Sequence, residues 1–421
     1  MQSAEIDGVG GESPPPRRER PWLFALLIAP DAVISLGLVG GALTFLLRNE
    51  GVDPARAASI SALIALPHAI YFLWGPVTDF WFQRRTWLIG SAFAGAAVIT
   101  CAFRLPHLGS RLAVGLLLVA ACIAVLSPAA CGGMMGTLRG EINRRRASSA
   151  YQTGSLAIGG VTVFALASLS GRFSISALGL IVAALIILPA LAAFAIPPER
   201  VISEHTAGQT VMRILRECKS TFLRWEAIPY TLVITSPCGS GAMIGLLGAL
   251  ARDYGVTAQQ VAWVNGVGGA LLTSGGALAA GLIPVRVRAP IAFLVSGLVN
   301  AATLGILALG HMRPSVYFAG TVLYLFTVGV SYALFTGVVL EFLGGSGKSG
   351  SGRYSIINSL GNLPVVYMTW LDGRGYALWG PRGMPGIDAM VSLVVVSVLL
   401  AHYIVSRRHK QAKLAARELS A

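Results

Sequence analysis

The first long apolar run of this chain carries one carboxylate. Asp31 follows Pro30 and stands nine residues into a run that opens near Trp22. On a helix rising 1.5 Å per residue it lies about 14 Å along the axis. If the run crosses a bilayer, that depth is near the middle of a hydrocarbon core roughly 30 Å thick. A carboxylate there costs several kcal/mol unless it is protonated, paired or wet, so the first reading is functional: it takes a proton or pairs with a cationic group. His68, beside Pro67 in the second run, brings an imidazole, a group suited to relaying a proton with Asp31. Asn265, Asn358 and Asn362 are amides able to bond a polar ligand, and Tyr332, near Tyr324, Ser331 and Thr336, adds a phenol. Thr235, Ser236 and Ser240 are candidates by position only. Each has a plainer alternative: a partnered acid at a helix interface beside the Pro30 break, a histidine bonded to a neighbouring helix, amides bonding helix to helix.

These residues need elements to hold them, and the composition names the kind. The chain has 421 residues, 55% hydrophobic and 12% charged, with mean hydropathy +0.70. A soluble protein carries roughly twice that charged fraction. Apolar runs of about 20 residues, long enough to span a bilayer, recur at 22–47, 57–78, 86–105, 112–135, 150–170, 174–196, 227–250, 258–283, 289–310, 315–340, 354–372 and 387–405. The expectation is an all-α integral membrane protein of twelve transmembrane helices in two pseudo-symmetric six-helix bundles. No cleavable signal peptide is visible; residues 1–20 are polar and Pro-rich and read as a disordered cytoplasmic tail. The net charge of +14 does not point to nucleic acid, because 23 of the 32 Lys and Arg fall on the loops that share a side with the N-terminus. That bias places both termini in the cytoplasm and the protein in the inner (plasma) membrane. The basic end, 406–421, reads as a membrane-surface anchor. Five cysteines show no metal spacing and read as reduced.

Residues 66–88, LPHAIYFLWGPVTDFWFQRRTWL, end the second run at Gly75-Pro76, place a single acid at Asp79, and open the third run behind Arg84 and Arg85. Asp79 is expected where the second helix meets the cytoplasm, and in the transporters this motif resembles such an acid faces the start of the eleventh helix, here Arg353. A contact made in one state and broken in another would latch a two-state machine. The latch set is Asp79, Arg84, Arg85 and Arg353, although arginines on a cytoplasmic loop are expected on topological grounds alone.

The chain also repeats itself. Arg48-Asn49-Glu50-Gly51-Val52 has a counterpart in Arg252-Asp253-Tyr254-Gly255-Val256, 204 residues on. Arg84 falls on Arg288 at the same offset, and Tyr151 on Tyr354 one residue short of it. Matches at one offset and at matching topological places predict a duplication: an N-terminal bundle at 21–196, a cytoplasmic linker at 197–226 and a C-terminal bundle at 227–405. The 50 glycines suit close helix packing and sliding between bundles.

Two six-helix halves with both ends inside resemble the major facilitator superfamily. More narrowly, Phe72-Leu73-Trp74-x-Pro76-x-x-Asp79 with Arg84-Arg85 and Trp87-Leu88, the stretch Asn49–Val52 through Leu66-Pro67, and Arg353–Pro364 resemble the muropeptide permease (AmpG-type) and acetyl-CoA transporter branch. The resemblance implies rocking of the halves about a midplane site and places the second and eleventh helices together at the cytoplasmic latch. Two departures stand against carrying the branch's cargo across. Residues 129–136, AACGGMMG, have no acid where that branch carries acids, and the second-half copy of the latch motif has lost its acid.

Nothing in the sequence points to enzyme chemistry: there is no His-Glu-x-x-His and no Gly-x-Ser-x-Gly. Gly347-Lys348-Ser349 imitates the end of a phosphate loop, but Phe342 stands where the leading glycine belongs. The expected activity is secondary transport of a polar organic solute, coupled to protons, by a monomer without cofactor or metal. The rivals are an efflux carrier for amphipathic compounds and a non-transporting membrane sensor. Glu341 and Glu141 are expected to pair with Arg139, Lys348 or Arg353.

Overall fold

The computed structural model describes residues 19–73, 77–78, 82–136, 138, 141–196, 209, 212, 216, 219, 227–284, 286–343, 356–357 and 359–418. Among them are twelve helical segments and no strand. They are α1 (Pro21–Asn49), α2 (Pro54–Ala69), α3 (Arg84–Phe103), α4 (Arg111–Met135), α5 (Glu141–Leu169) and α6 (Ile175–Ala195). The second set is α7 in two pieces (Ile228–Ile234 and Ala242–Ala251), α8 (258–280), α9 (Ala289–Leu309), α10 (Pro314–Leu343), α11 (Leu363–Trp379) and α12 (Gly383–Glu418). Among the described residues, eight stretches, one of them holding both α11 and α12, are long and apolar enough to cross a membrane.

Local chemistry starts these helices. Asp53 accepts from the amides of Ala55 and Arg56 ahead of α2, with Pro54 at the first helical position. Ser110 and Ser174 cap α4 and α6 in the same way, and Thr257 with Gln260 closes a reciprocal capping box on α8.

The duplication is visible in the backbone. Gly51 and Gly255 both take left-handed φ, +84° and +70°. Each turn is closed by the same two bonds: Gly51 N to Arg48 O and Val52 N to Leu47 O, then Gly255 N to Arg252 O and Val256 N to Ala251 O. A side chain at either glycine would be strained, which is why both copies keep glycine. The irregularities repeat as well. α1 widens into π-type turns from Ala32 to Ala42, directly after Asp31. At the 204-residue offset α7 breaks between Ile234 and Ala242, across Thr235-Ser236-Pro237-Cys238-Gly239-Ser240-Gly241. Two ends of the molecule can thus be named by their loops: a first-loop end carrying Arg48 and Arg252, and a second-loop end carrying Arg84 and Arg288.

Several boundaries differ from the expected ones. α11 continues past 372 to Trp379, and α12 starts at Gly383 rather than 387. The turn between them needs only Gly380, with φ +68°, Pro381 and Arg382. Asp372 and Asp388 therefore stand inside helices and not at their margins. α12 also runs on through the basic end to Glu418, and α5 starts at Glu141 instead of 150. α2 stops at Ala69, short of 78, with one further turn at Tyr71–Leu73.

Glycines set how closely helices approach. Within the second half, a side chain at Gly276 would collide with the Phe326 carbonyl, and one at Gly329 with the Thr273 carbonyl, so α8 and α10 meet backbone to backbone. Gly329→Leu is expected to lower stability by about 1–3 kcal/mol through overpacking, read as a fall in melting temperature in detergent. Gly115→Leu on the exposed side of α4, where nothing lies within 4 Å, should leave it unchanged.

Candidate functional site

The two sharpest residues of the sequence meet in space. Asp31 is buried, 8% exposed. Its Oδ1 accepts from Ser35 Oγ at 2.8 Å, one turn along α1, and lies 2.8 Å from His68 Nε2 on α2. An ionised Asp31 can only accept, so this geometry puts a hydrogen on Nε2. A carboxylate, an imidazole and a hydroxyl thus form one compact cluster.

The backbone around His68 explains why the cluster matters beyond its own half. Pro67 interrupts α2 and the helix ends two residues later. In an uninterrupted helix the Phe72 amide would bond the His68 carbonyl. Instead Phe72 N donates to Ser359 Oγ at 3.1 Å, and the His68 carbonyl accepts from Asn362 Nδ2 at 3.2 Å. Ser359 and Asn362 lie three residues apart just ahead of α11, Asn362 at its N-cap. The second half therefore supplies both groups that the broken helix of the first half is missing. Asn362, a predicted ligand amide, is a bridge between the halves.

The halves also close on each other towards the first-loop end. Arg48 Nη2 donates to Asp253 Oδ1 at 2.9 Å, and Tyr376 of α11 sits between them, 3.3 Å from each. Thr44 Oγ1 donates to the Gly245 carbonyl, joining α1 to α7. A Cβ on Gly248 would stand 2.9 Å from Phe45 Cβ, and one on Gly373 would stand 2.6 Å from Ala58 Cβ on α2. On the third seam, Gly266 of α8 faces the Phe164 backbone of α5, with Trp263 edge-on to Phe164 at 5.0 Å. Three helix pairs, 1 with 7, 2 with 11 and 5 with 8, thus close this end.

The remaining predicted residues divide. Asn265 donates to Tyr317 Oη at 2.9 Å, which in turn donates to the Leu247 carbonyl, so this amide binds helices together. Tyr332 is 40% exposed, and its hydroxyl reaches the Ser240 carbonyl at 3.4 Å beside the α7 break. Arg85 donates to the Ile196 carbonyl at 3.0 Å, and the Arg84 guanidinium lies against Gly133 of α4. One glycine of the uncharged AACGGMMG stretch, Gly133, thus gives room to an arginine. Asp79, Arg353 and Asn358 lie outside the described residues, as do Arg139 and Lys348 and the side chain of Glu141. Glu341 differs from expectation: it pairs with Arg288 and accepts from Tyr230 Oη. The reason is topological, since Arg288 sits at the start of α9 beside the end of α10. Cys101, Cys122, Cys131 and Cys238 are free thiols.

Sequence reading missed the Arg48–Asp253–Tyr376 cluster, although both charged residues were in hand as the repeated loop. The repeat itself was the signal: a turn duplicated on one face of two related bundles brings its arginine and its acid together. Reading Asp372 and Asp388 as helix margins hid a second buried pair, taken up below.

No protein-family model matches this sequence, and no curated protein matches it. Solved structures do. A peptide transporter POT in complex with sulfate superposes with TM-score 0.67 at 13% identity, covering 93% of this chain and 96% of that one. The nucleoside transporter NupG gives 0.68 at 12% (91% and 98%), and a D-xylose-proton symporter gives 0.65 at 14% (90% and 95%). The fold is the major facilitator fold. These neighbours do not single out the muropeptide permease branch.

Removing either Arg48 or Asp253 by alanine is expected to lower the melting temperature. In the double variant the loss should be less than additive, with a coupling energy of about 1 kcal/mol. Full additivity in a double-mutant cycle would show that the pair contributes nothing as a pair.

Proposed function

We propose that this protein is a secondary transporter that moves a polar organic solute by alternating access, with a proton carried at Asp31 and His68. One observation carries the reading: the Asp31–His68 contact is joined, through the His68 carbonyl, to Asn362 of the other half. Proton coupling needs a titratable site whose occupancy has different free energy in two arrangements of the protein. A buried acid paired with a partly buried imidazole, whose own backbone carbonyl bonds across the interface between the moving halves, meets that requirement.

The fold supports the reading, since the neighbours include a peptide transporter, a nucleoside transporter and a D-xylose-proton symporter. The bias of Lys and Arg places the second-loop end in the cytoplasm. In that orientation the structure is shut towards the outside, and the protein is a multi-pass component of the inner membrane acting as a monomer. Asp79, Arg84, Arg85 and Arg353 remain our candidates for a latch at the cytoplasmic end. Likeness to the muropeptide permease branch rests on motif residues, of which Trp74, Pro76, Asp79 and Arg353 lie outside the described set. Muropeptides are accordingly one class in a panel with peptides, nucleosides, sugars, siderophores, acyl-CoA and amphipathic drugs.

Proteoliposomes loaded with a pH-sensitive dye test the proposal. A member of that panel added to one side should move protons with it, and Asp31→Asn should abolish the pH dependence of uptake while the protein still folds and inserts. Wild-type uptake that ignores pH, or an Asp31→Asn protein that retains normal proton flux, would sink the coupling role.

A further inference from the structure

Two more acids are buried in this fold, and nothing proposed above uses them. Asp372 on α11 is 0% exposed and Asp388 on α12 is 2% exposed. The two helices are drawn together by glycine: a side chain at Gly375 would strike the Gly383 carbonyl, and one at Gly383 would strike the Gly375 carbonyl. That backbone contact at the Gly380 turn brings the carboxyls within hydrogen-bonding reach of each other. With both ionised neither could donate. Both oxygens of Asp372 and Oδ2 of Asp388 would then be buried with no hydrogen-bond partner among the described residues, and only Asp388 Oδ1 is served, by Ser392 Oγ at 3.0 Å.

A second, independent feature points into the same place. Tyr324 of α10 is 1% exposed, and its hydroxyl makes no hydrogen bond among the described residues. It lies close enough to Asp372 and Asp388 to feel their charge, beside the Met243 backbone of α7. The other titratable neighbours are Tyr332, Tyr367 and Cys238. No basic group among the described residues acts on either carboxyl. Arg374, two residues from Asp372, is exposed and lies over the Trp370 ring at 5.2 Å.

Two negative charges side by side in apolar surroundings repel and are poorly solvated, and no cation among the described residues offsets them. One hydrogen between the carboxyls removes a charge and supplies the missing donor at once. We infer that Asp372 and Asp388 share one proton and form a second proton-binding site, in the C-terminal half, separate from Asp31 and His68. The site has a mechanical neighbour. Tyr376, one turn further along α11, bonds Arg48 and Asp253 at the closed first-loop end. Parting that end moves the helix that carries Asp372 and opens a path for the proton to exchange.

The test reads the carboxyls directly and does not depend on any transported solute. Infrared difference spectra are recorded on the full chain in detergent, in an Asp31→Asn background so that the helix 1 site adds no signal. At pH 7 the parent should show a protonated carboxyl C=O band. That band should vanish in Asp372→Asn and in Asp388→Asn alike, since the amide in each supplies the donor and leaves the other acid ionised. Spectra of the parent and the variants that coincide in the carboxyl region overturn the inference. So does a band that appears only when sodium is withdrawn, because the pair then holds a metal cation. Should neither asparagine variant fold, the parent grown on carboxyl-labelled aspartate decides: absence of any protonated labelled aspartate at pH 7 overturns the proposal.

Discussion

A broken helix must find partners for the backbone groups it sets free, because a backbone group left unpaired away from water is costly. Much of this structure follows from how that demand is met on α2. Pro67 ends the helix, and the amide of Phe72 and the carbonyl of His68 are satisfied by Ser359 and Asn362. The partners come from the other half of the molecule. Any arrangement that separates α2 from the eleventh helix on that side must leave two backbone groups in want or supply them from elsewhere. The break is therefore a joint whose two sides belong to different bundles.

The same residue that marks the joint carries the imidazole of the buried cluster. Asp31, Ser35 and His68 make short contacts that depend on charge state, while the His68 carbonyl does not. The ring that meets Asp31 belongs to the same residue whose carbonyl holds the seam. Each contact is modest, since hydrogen bonds between membrane helices contribute about 0.6–2 kcal/mol. That modesty suits a machine whose two arrangements must stay within a few kcal/mol of each other.

The architecture was legible from composition and apolar periodicity, because bilayer thickness fixes helix length and leaves little freedom. The pairing of halves was legible from Arg48-x-x-Gly51 and Arg252-x-x-Gly255, whose left-handed glycines repeat a backbone conformation as well as a letter. His68 stands out in the sequence as a relay partner for Asp31 because of its imidazole, with a plain helix-to-helix bond as the alternative, and their 2.8 Å contact comes from the fold. Contacts that depend on packing were not legible. Asn265 looks like a ligand amide until Tyr317 is seen beside it, and Glu341 selects Arg288 because of where α9 begins. Asp372 and Asp388 were hidden by a turn made of so few residues that a Gly- and Pro-rich stretch read as loop while its flanks were helix.

The glycines at the seams have a consequence for how the molecule moves. Gly248 against Phe45, Gly373 against Ala58, and Gly266 against Phe164 leave no clearance for even a methyl group. Surfaces fitted that closely resist shear: any displacement along them drives one helix's Cβ atoms into the next helix's backbone. They offer no such resistance to being lifted apart. The first-loop end should therefore behave like a lid on a fitted rim, separating by rotation about the opposite end. The smallest side chains would then set the direction of travel, and the charged ones would time it.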